Sequence, residues 1–231
     1  RPFIPGSSFK GVLRTVVERF ARAINHRPAV WACDNPLDHV GGSCVTNARK
    51  EMLLRAATDA QGRLDEAAFA RSLGAETCTV CRLFGSPWLA SKVRIKDLSL
   101  QEDSWTGRVE TRTGVGIDRD THTASPKALY SFEVVPPEAL FDFEVVIENA
   151  DEVELGLLVM GLRELEAGRV TLGSAGSRGL GWCKLLDLEC AEWVDAANLL
   201  TYLAGGKMEA PPKALDDYIQ SVSQAILGGG E

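Results

Sequence analysis

Apolar residues at Val12, Leu13, Val16, Val17, Phe20 and Ile24 recur at helical spacing. Ser7 or Ser8 ahead of them can cap a first turn, so a helix is expected here, with Lys10, Arg14, Arg19 and Arg22 on its polar face. The same period returns over 151–167, carried by Leu155, Leu158, Leu162 and Leu165 and stopped by Gly168. Between these helices the pattern changes. Pro28, Pro36, Gly41 and Gly42 mark irregular chain, and 47–57 and 65–73 predict short helices separated by Gly62. Residues 28–90 therefore read as an insertion. Residues 93–100 predict a strand. Two candidate strand arms within 106–137 flank a polar middle of Asp118, Arg119, Asp120, Thr121, His122 and Thr123, a long hairpin with an extended tip. Further strands are expected at 140–148 and, after a glycine-rich loop at 173–181, at 182–188. Short helices at 194–203 and 213–226 end the pattern, and 228–231 should fray. Strands and helices mixed in this way predict an α+β fold with helices on one side of an antiparallel sheet. No internal repeat is apparent.

Length and charge narrow the classes. The 231 residues, 45% hydrophobic and 25% charged, suit one ample domain, 1–231, or one core with an insertion. Charges interrupt every apolar stretch short of the roughly 20 residues a membrane helix needs, so no membrane span is expected. The chain opens on Arg1 without a signal-peptide pattern, which leads us to expect further sequence upstream. The net charge of -7 argues against simple electrostatic binding of nucleic acid, yet it is unevenly spread. Residues 1–100 hold 15 Lys and Arg against 9 Asp and Glu, whereas 101–231 hold 10 against 23. A basic surface can thus coexist with an acidic one, although solubility patterning gives the same numbers.

Candidate chemistry begins with six cysteines. Cys78 and Cys81 form a Cys-x-x-Cys pair whose thiolates can face one ion, and Cys33 and Cys44 could supply two more ligands of a tetrahedral zinc site. His39 is the available substitute for one thiolate. A redox pair of the thioredoxin type needs a βαβ context that the pattern lacks, and unliganded structural cysteines are the remaining option. Cys183 and Cys190 fall with the predicted strand 182–188 and its continuation. Without a secretory signal, a disulfide framework is not expected.

The segment Pro5-Gly6-Ser7-Ser8-Phe9-Lys10-Gly11 offers backbone N–H groups, hydroxyls and a lysine to a phosphate, or simply caps the helix. It lacks nucleotide-binding P-loop spacing. The loop from Gly173 to Gly181 places Arg178 in flexible backbone able to approach an extended phosphate chain. Because it precedes a strand, it is not a dinucleotide fingerprint. Three scattered histidines, His26, His39 and His122, do not build a histidine-based catalytic centre. Asp34, Asp118 and Asp120 are loop carboxylates able to hold Mg²⁺ or to form turns.

Taken together these segments resemble a known family. Phe3-Ile4-Pro5-Gly6-Ser7-Ser8-Phe9-Lys10-Gly11-Val12-Leu13-Arg14 resembles the opening of the first helix in the RAMP superfamily of CRISPR-associated proteins. Cys78-Thr79-Val80-Cys81-Arg82-Leu83-Phe84-Gly85-Ser86 is similar to its cysteine-pair and "LFG" segment. Gly116-Ile117-Asp118-Arg119-Asp120-Thr121 with Ala124 resembles its "IDR-x-T" hairpin, and Gly173 through Gly181 its "SRGLG" loop. The four stand in the family's order, and the most similar group is the repeated backbone subunit of type III effector complexes, or one domain of a related fused effector.

The resemblance implies a ferredoxin-like, RRM-like core with a zinc-containing insertion at 28–90 and a protruding thumb hairpin at 106–137. It implies binding of CRISPR guide RNA, stacking on adjacent backbone subunits, and cleavage of single-stranded target RNA by a metal ion such as Mg²⁺ with an aspartate, all in the cytoplasm. Carried over, Ser7, Ser8, Lys10 and Arg14 would contact guide phosphates. Gly176, Ser177 and Arg178 would line the same path, and Ile117, Asp118, Arg119 and Thr121 would lie in or beside the thumb. Cys33, Cys44, Cys78 and Cys81 would form a structural zinc site. In the cleaving subunits the catalytic aspartate lies shortly before the motif that opens the helix, ahead of Arg1, so no catalytic residue is assigned here. The competing expectations are a capping or scaffold subunit, a guide-processing endonuclease, and a zinc-stabilised protein-interaction module.

Overall fold

The computed structural model describes residues 1–37, 41–208 and 211–228. In chain order the elements are β1 (Phe3–Ile4), α1 (Gly6–Ile24), α2 (Asn47–Ala56), α3 (Glu66–Glu76), α4 (Thr79–Phe84), β2 (Val93–Ile95), β3 (Leu98–Ser99), β4 (Glu110–Ile117), β5 (Ala124–Val134), β6 (Val145–Ile147), α5 (Glu152–Glu166), α6 (Leu199–Leu203) and α7 (Leu215–Leu227). This is a mixed α+β fold with small antiparallel sheets. Among the described residues the strands form three two-stranded ladders, β1 with β3, β2 with β6 and β4 with β5, instead of the single sheet expected. The chain divides into two compact units, 1–7 with 95–145 and 8–94 with 146–231.

In the first unit, Phe3 pairs with Ser99 and Ile4 with Leu98. The expected strand 93–100 is split because Asp97 leaves the ladder and accepts a hydrogen bond from the Gly6 N–H at 2.8 Å, satisfying one of the orphan donors at the start of α1. Gly6 itself is required there, since a Cβ would collide with the carbonyls of Ile95 and Lys96. The long hairpin forms as the polar-tipped pattern predicts. Its register runs from Glu110 opposite Val134 to Ile117 opposite Ala124, with a bulge between Val115 and Ile117. Tyr130 and Phe132, two residues apart on one strand face, stack at 6.0 Å.

In the second unit, α1 buries Phe9, Leu13, Val16, Val17 and Ala21, and α5, which Leu13 and Val17 meet, buries Leu157, Leu158, Leu162 and Leu165. Gly161 sits at the crossing, where a Cβ would lie 2.8 Å from Leu13 Cδ1 and 2.9 Å from Val17 Cγ2. Asp151 and Glu154 start α5 with a reciprocal capping box. The other face of α5 receives α7. A Cβ on Gly156 would collide with the Tyr218 carbonyl and lie 2.7 Å from Val222 Cγ2. Gly156→Ala is therefore expected to cost about 2 kcal/mol by forcing the two helices apart, and urea unfolding measures it; a variant as stable as the parent would show that α7 does not hold this position. The insertion has its own small core of Val45, Leu53 and Leu73, closed by Phe69, Trp88 and Leu89. Thr46 caps α2 and Asp65 caps α3.

Three further expected elements differ. Residues 182–188 form no strand, only an isolated bridge between Thr171 and Trp182. Left-handed backbone at Gly181 (φ 73°) and Asp187 (φ 49°) interrupts the extension that a ladder needs. The strand expected at 140–148 shortens to β6, with Phe141 bridged only to Leu100. The helix expected at 194–203 contracts to α6, because Asp195 and Asn198 spend their side chains on local turn hydrogen bonds.

Candidate metal centre

Four cysteines distant in sequence converge within the second unit. Cys33 follows the bridge between His26 and Val30, and Cys44 precedes the Thr46 cap of α2. Cys78 is the N-cap of α4, where its sulfur accepts the Cys81 N–H at 3.4 Å. The cap and the third helical residue lie on one side of a helix start, which explains why Cys78 and Cys81 face the same point. Cys78 is 0% and Cys81 1% exposed. The ligand atoms of Cys33, Cys44, Cys78 and Cys81 all lie within 4.8 Å of one another.

The distances discriminate between the possibilities. Cys33 and Cys81 sulfurs are 3.7 Å apart, and Cys78 and Cys33 sulfurs 3.8 Å. A disulfide needs about 2.05 Å, and all six cysteines are free. A tetrahedron with zinc–sulfur bonds of about 2.3 Å has edges of about 3.8 Å. Two edges of the cluster match that figure and all four sulfurs lie within 4.8 Å of one another, so the four thiolates can close on one metal ion.

Its protonation fits the same use. Hydrogen bonds from Cys33, Cys78 and Cys81 push the Cys44 thiol well below the ordinary range. At Cys33 the bond with Cys44 pushes up, but those from Cys78 and Cys81 win and the thiol falls to about 7. The bonds with Cys33 and Cys44 push Cys78 and Cys81 upward. Four sulfurs this close share their protons unequally, whereas one divalent cation would stabilise all four as thiolates and release those protons.

Two basic side chains of α1, Arg14 and Lys10, turn toward this region. Arg14 donates from Nε to Glu18 at 2.9 Å, from Nη1 to the Gly85 carbonyl at 2.9 Å and from Nη2 to Cys81 sulfur at 3.3 Å. Lys10 donates to Ser91 Oγ at 2.6 Å, and burial, followed by the Arg14 charge, lowers its ammonium pKa. An open groove of about 520 Å³ runs alongside, lined by Arg14, Leu37, Phe84, Gly85, Ser86 and Ser91 among others.

The remaining candidates are not part of the four-cysteine cluster. Ser7 and Ser8 are exposed at the start of α1. At the hairpin tip Ile117 is 61% exposed, and Arg119 and Thr121 are exposed as well. Asp118 is a turn former, its Oδ1 accepting the Asp120 and Thr121 N–H groups at 2.9 and 3.0 Å. The bond from Thr121, then that from Asp120, lowers its carboxyl pKa. Gly176, Ser177 and Arg178 form a single 3₁₀ turn between left-handed Ala175 (φ 60°) and Gly179 (φ 83°). A Cβ on Gly176 would meet Thr171 Oγ1 at 2.7 Å, so a larger residue there would have to displace the threonine side chain. His39, the substitute ligand considered from sequence, lies outside the described residues. Sequence reasoning missed Asp97, Ser91 and the Arg14–Cys81 contact. A carboxylate interrupting the apolar alternation of 93–100 was the one available signal, and it pointed to Asp97.

Among the described residues no helix is long and apolar enough to cross a membrane. A search of curated proteins found none that matches the chain. Comparison with protein families matches residues 1–184 to the RAMP superfamily, a span holding α1, the four-cysteine cluster, the hairpin and the 173–181 loop. The chain belongs to the RAMP superfamily.

Proposed function

We propose that this chain binds the backbone of a CRISPR guide RNA as a repeated module of a type III RNA-guided effector complex. The observation that carries the reading is the superfamily match over 1–184, which takes in the helix-opening, cysteine-pair, hairpin and glycine-loop motifs in order. In this reading the α+β fold is a ferredoxin-like core, the four cysteines hold a structural zinc that braces 28–90, and the β4–β5 hairpin is the thumb. Ser7, Ser8, Lys10, Ser177 and Arg178 contact phosphates, Gly176 lets the chain come close, and exposed Ile117 serves as the apolar wedge between guide and target, beside Asp118, Arg119 and Thr121. Arg14 is set apart from this group, because three of its nitrogens donate within the chain.

Hydroxyls, lysine, arginine and backbone N–H groups bind phosphate without reading bases, which leaves recognition to base pairing. The partners are therefore guide RNA, single-stranded target RNA and neighbouring subunits, in the cytoplasm. Mg²⁺-dependent cleavage of target is a property of the assembled complex, and no residue of this chain is assigned to it.

RNA co-purifying with the native complex should share a constant repeat-derived end and a variable remainder. In salt titrations of guide binding, Lys10→Gln with Arg178→Gln should lower the magnitude of the log–log salt slope by about 1.4, two single-strand phosphate contacts, equally for guides of unrelated sequence. An unchanged slope would remove Lys10 and Arg178 from the path.

A further inference from the structure

We propose that Arg14 is a positioning residue for the metal centre, its guanidinium donating to the Cys81 thiolate to offset the charge of the loaded cluster and fix that ligand's lone pair. The inference rests on reading Cys33, Cys44, Cys78 and Cys81 as a metal site. Four thiolates around a divalent cation carry a net charge of -2. Cys33, Cys78 and Cys81 are buried, and a buried dianion without a cation or donors nearby is strongly disfavoured. Arg14 supplies both at 3.3 Å from Cys81 sulfur.

Its geometry is over-determined. Glu18 holds Nε from one turn along α1, and the Gly85 carbonyl at the end of α4 holds Nη1. With Nε and Nη1 both bonded the guanidinium plane is fixed, and Nη2 directs an N–H at Cys81. Gly85 has φ 92°, which presents its carbonyl where a residue with a side chain would be strained. Arg82 and Lys92 are paired with Glu154, and Arg22 donates to the Cys33 and Asp34 carbonyls and pairs with Glu18, not with a ligand sulfur. Donors around metal ligands orient them and tune the metal, and losing one commonly lowers affinity 10- to 100-fold. Arg14 also joins α1 to the cysteine cluster, so metal occupancy steadies the helix that carries Lys10.

Cobalt(II) loading of the full chain tests this, with zinc affinity measured by competition against a chromophoric chelator. The parent should show four-thiolate d–d bands and a sulfur-to-cobalt charge-transfer band. Arg14→Gln should keep the four-thiolate pattern, shift the charge-transfer band to lower energy because a sulfur lone pair has lost its donor, and weaken zinc about 10- to 100-fold. Arg14→Lys should recover part of the affinity. Arg19→Gln removes a cation from the same helix that lines a different cleft, with Glu164 and Arg169, and should leave both readouts at parent values. Parent affinity and band energy in Arg14→Gln would overturn the role of Arg14 alone, as would equal losses in Arg19→Gln. If Arg14→Gln does not fold, Arg14→Lys decides through its band energy, a parent value overturning the directed donor. A parent protein without thiolate-to-cobalt bands would overturn the metal centre itself, and this role with it.

Discussion

Replacing Cys78 and Cys81 together with serine should empty the metal centre and unfold the insertion. Two ligands of four are lost, and hydroxyls do not replace thiolates as zinc ligands at neutral pH. The size of the effect follows from how little else holds the α2–α3 segment in place, since Val30, Val80, Leu83 and Phe84 are buried outside it. Its own core is Val45, Leu53 and Leu73, worth about 2 kcal/mol for each buried side chain. The helices α2 and α3 are short and have one buried residue each, Leu53 and Leu73, so they are not self-sustaining. Structural zinc on thiolates contributes about 10 kcal/mol or more near neutral pH, more than that small core supplies. Metal analysis should fall from one ion per chain to none, and hydrogen exchange of α2 and α3 amides should lose its protection, while α5 keeps most of its own. Chelation of the parent should reproduce the pattern, and so should acid, since protons compete for the same four sulfurs. Retained protection in the metal-free double variant would show that packing alone holds the insertion.

How much of this was legible beforehand depends on how local the cause is. The helices α1 and α5 follow from apolar period and capping residues within one or two turns, and both form close to where the pattern places them. The Cys78–Cys81 pair is equally local, being a cap and its third residue. Cys33 and Cys44 are different. Their irregular spacing left His39 open as a ligand, and only the folded insertion brings these two thiols to the edges of a tetrahedron. The split of 93–100 at Asp97 and the loss of 182–188 have one kind of origin, a residue spent on a contact outside its own strand or held in left-handed backbone.

Arg14 shows the same limit from the functional side. A helical wheel identifies it as polar and beside the apolar stripe, which suits a phosphate contact and an internal anchor equally. The choice is made by Gly85 and Cys81, some seventy positions later in the chain. Lys10 is drawn toward Ser91 in the same way. Hydrophobic period reports which face is buried, but the fate of a cation at the edge of that face depends on which loop returns to it.

Glu154→Gln is the second large effect, at about 3 kcal/mol of destabilisation. Glu154 is 0% exposed, with Arg82 Nε at 3.1 Å from one carboxylate oxygen and Lys92 Nζ at 2.6 Å from the other. The second oxygen also accepts the Asp151 N–H at 3.0 Å, closing the capping box of α5. Glutamine has one acceptor oxygen and one NH₂ group. Whichever way it turns, a cation meets donors and loses its acceptor, and the buried charge that matched two cations is gone. Lys92→Met should cost less, about 1 kcal/mol, because Lys92 is 28% exposed and Glu154 keeps Arg82. Because Arg82 directly follows Cys81, the triad also ties α4 to α5. Urea unfolding with excess zinc holds the metal contribution constant, and the cobalt charge-transfer band should stay at its parent energy in Glu154→Gln, since no ligand sulfur loses a donor. A loss under about 0.5 kcal/mol would mean that the two cations find water as readily as they find Glu154, leaving the capping box, and not the ion triad, as what Glu154 contributes.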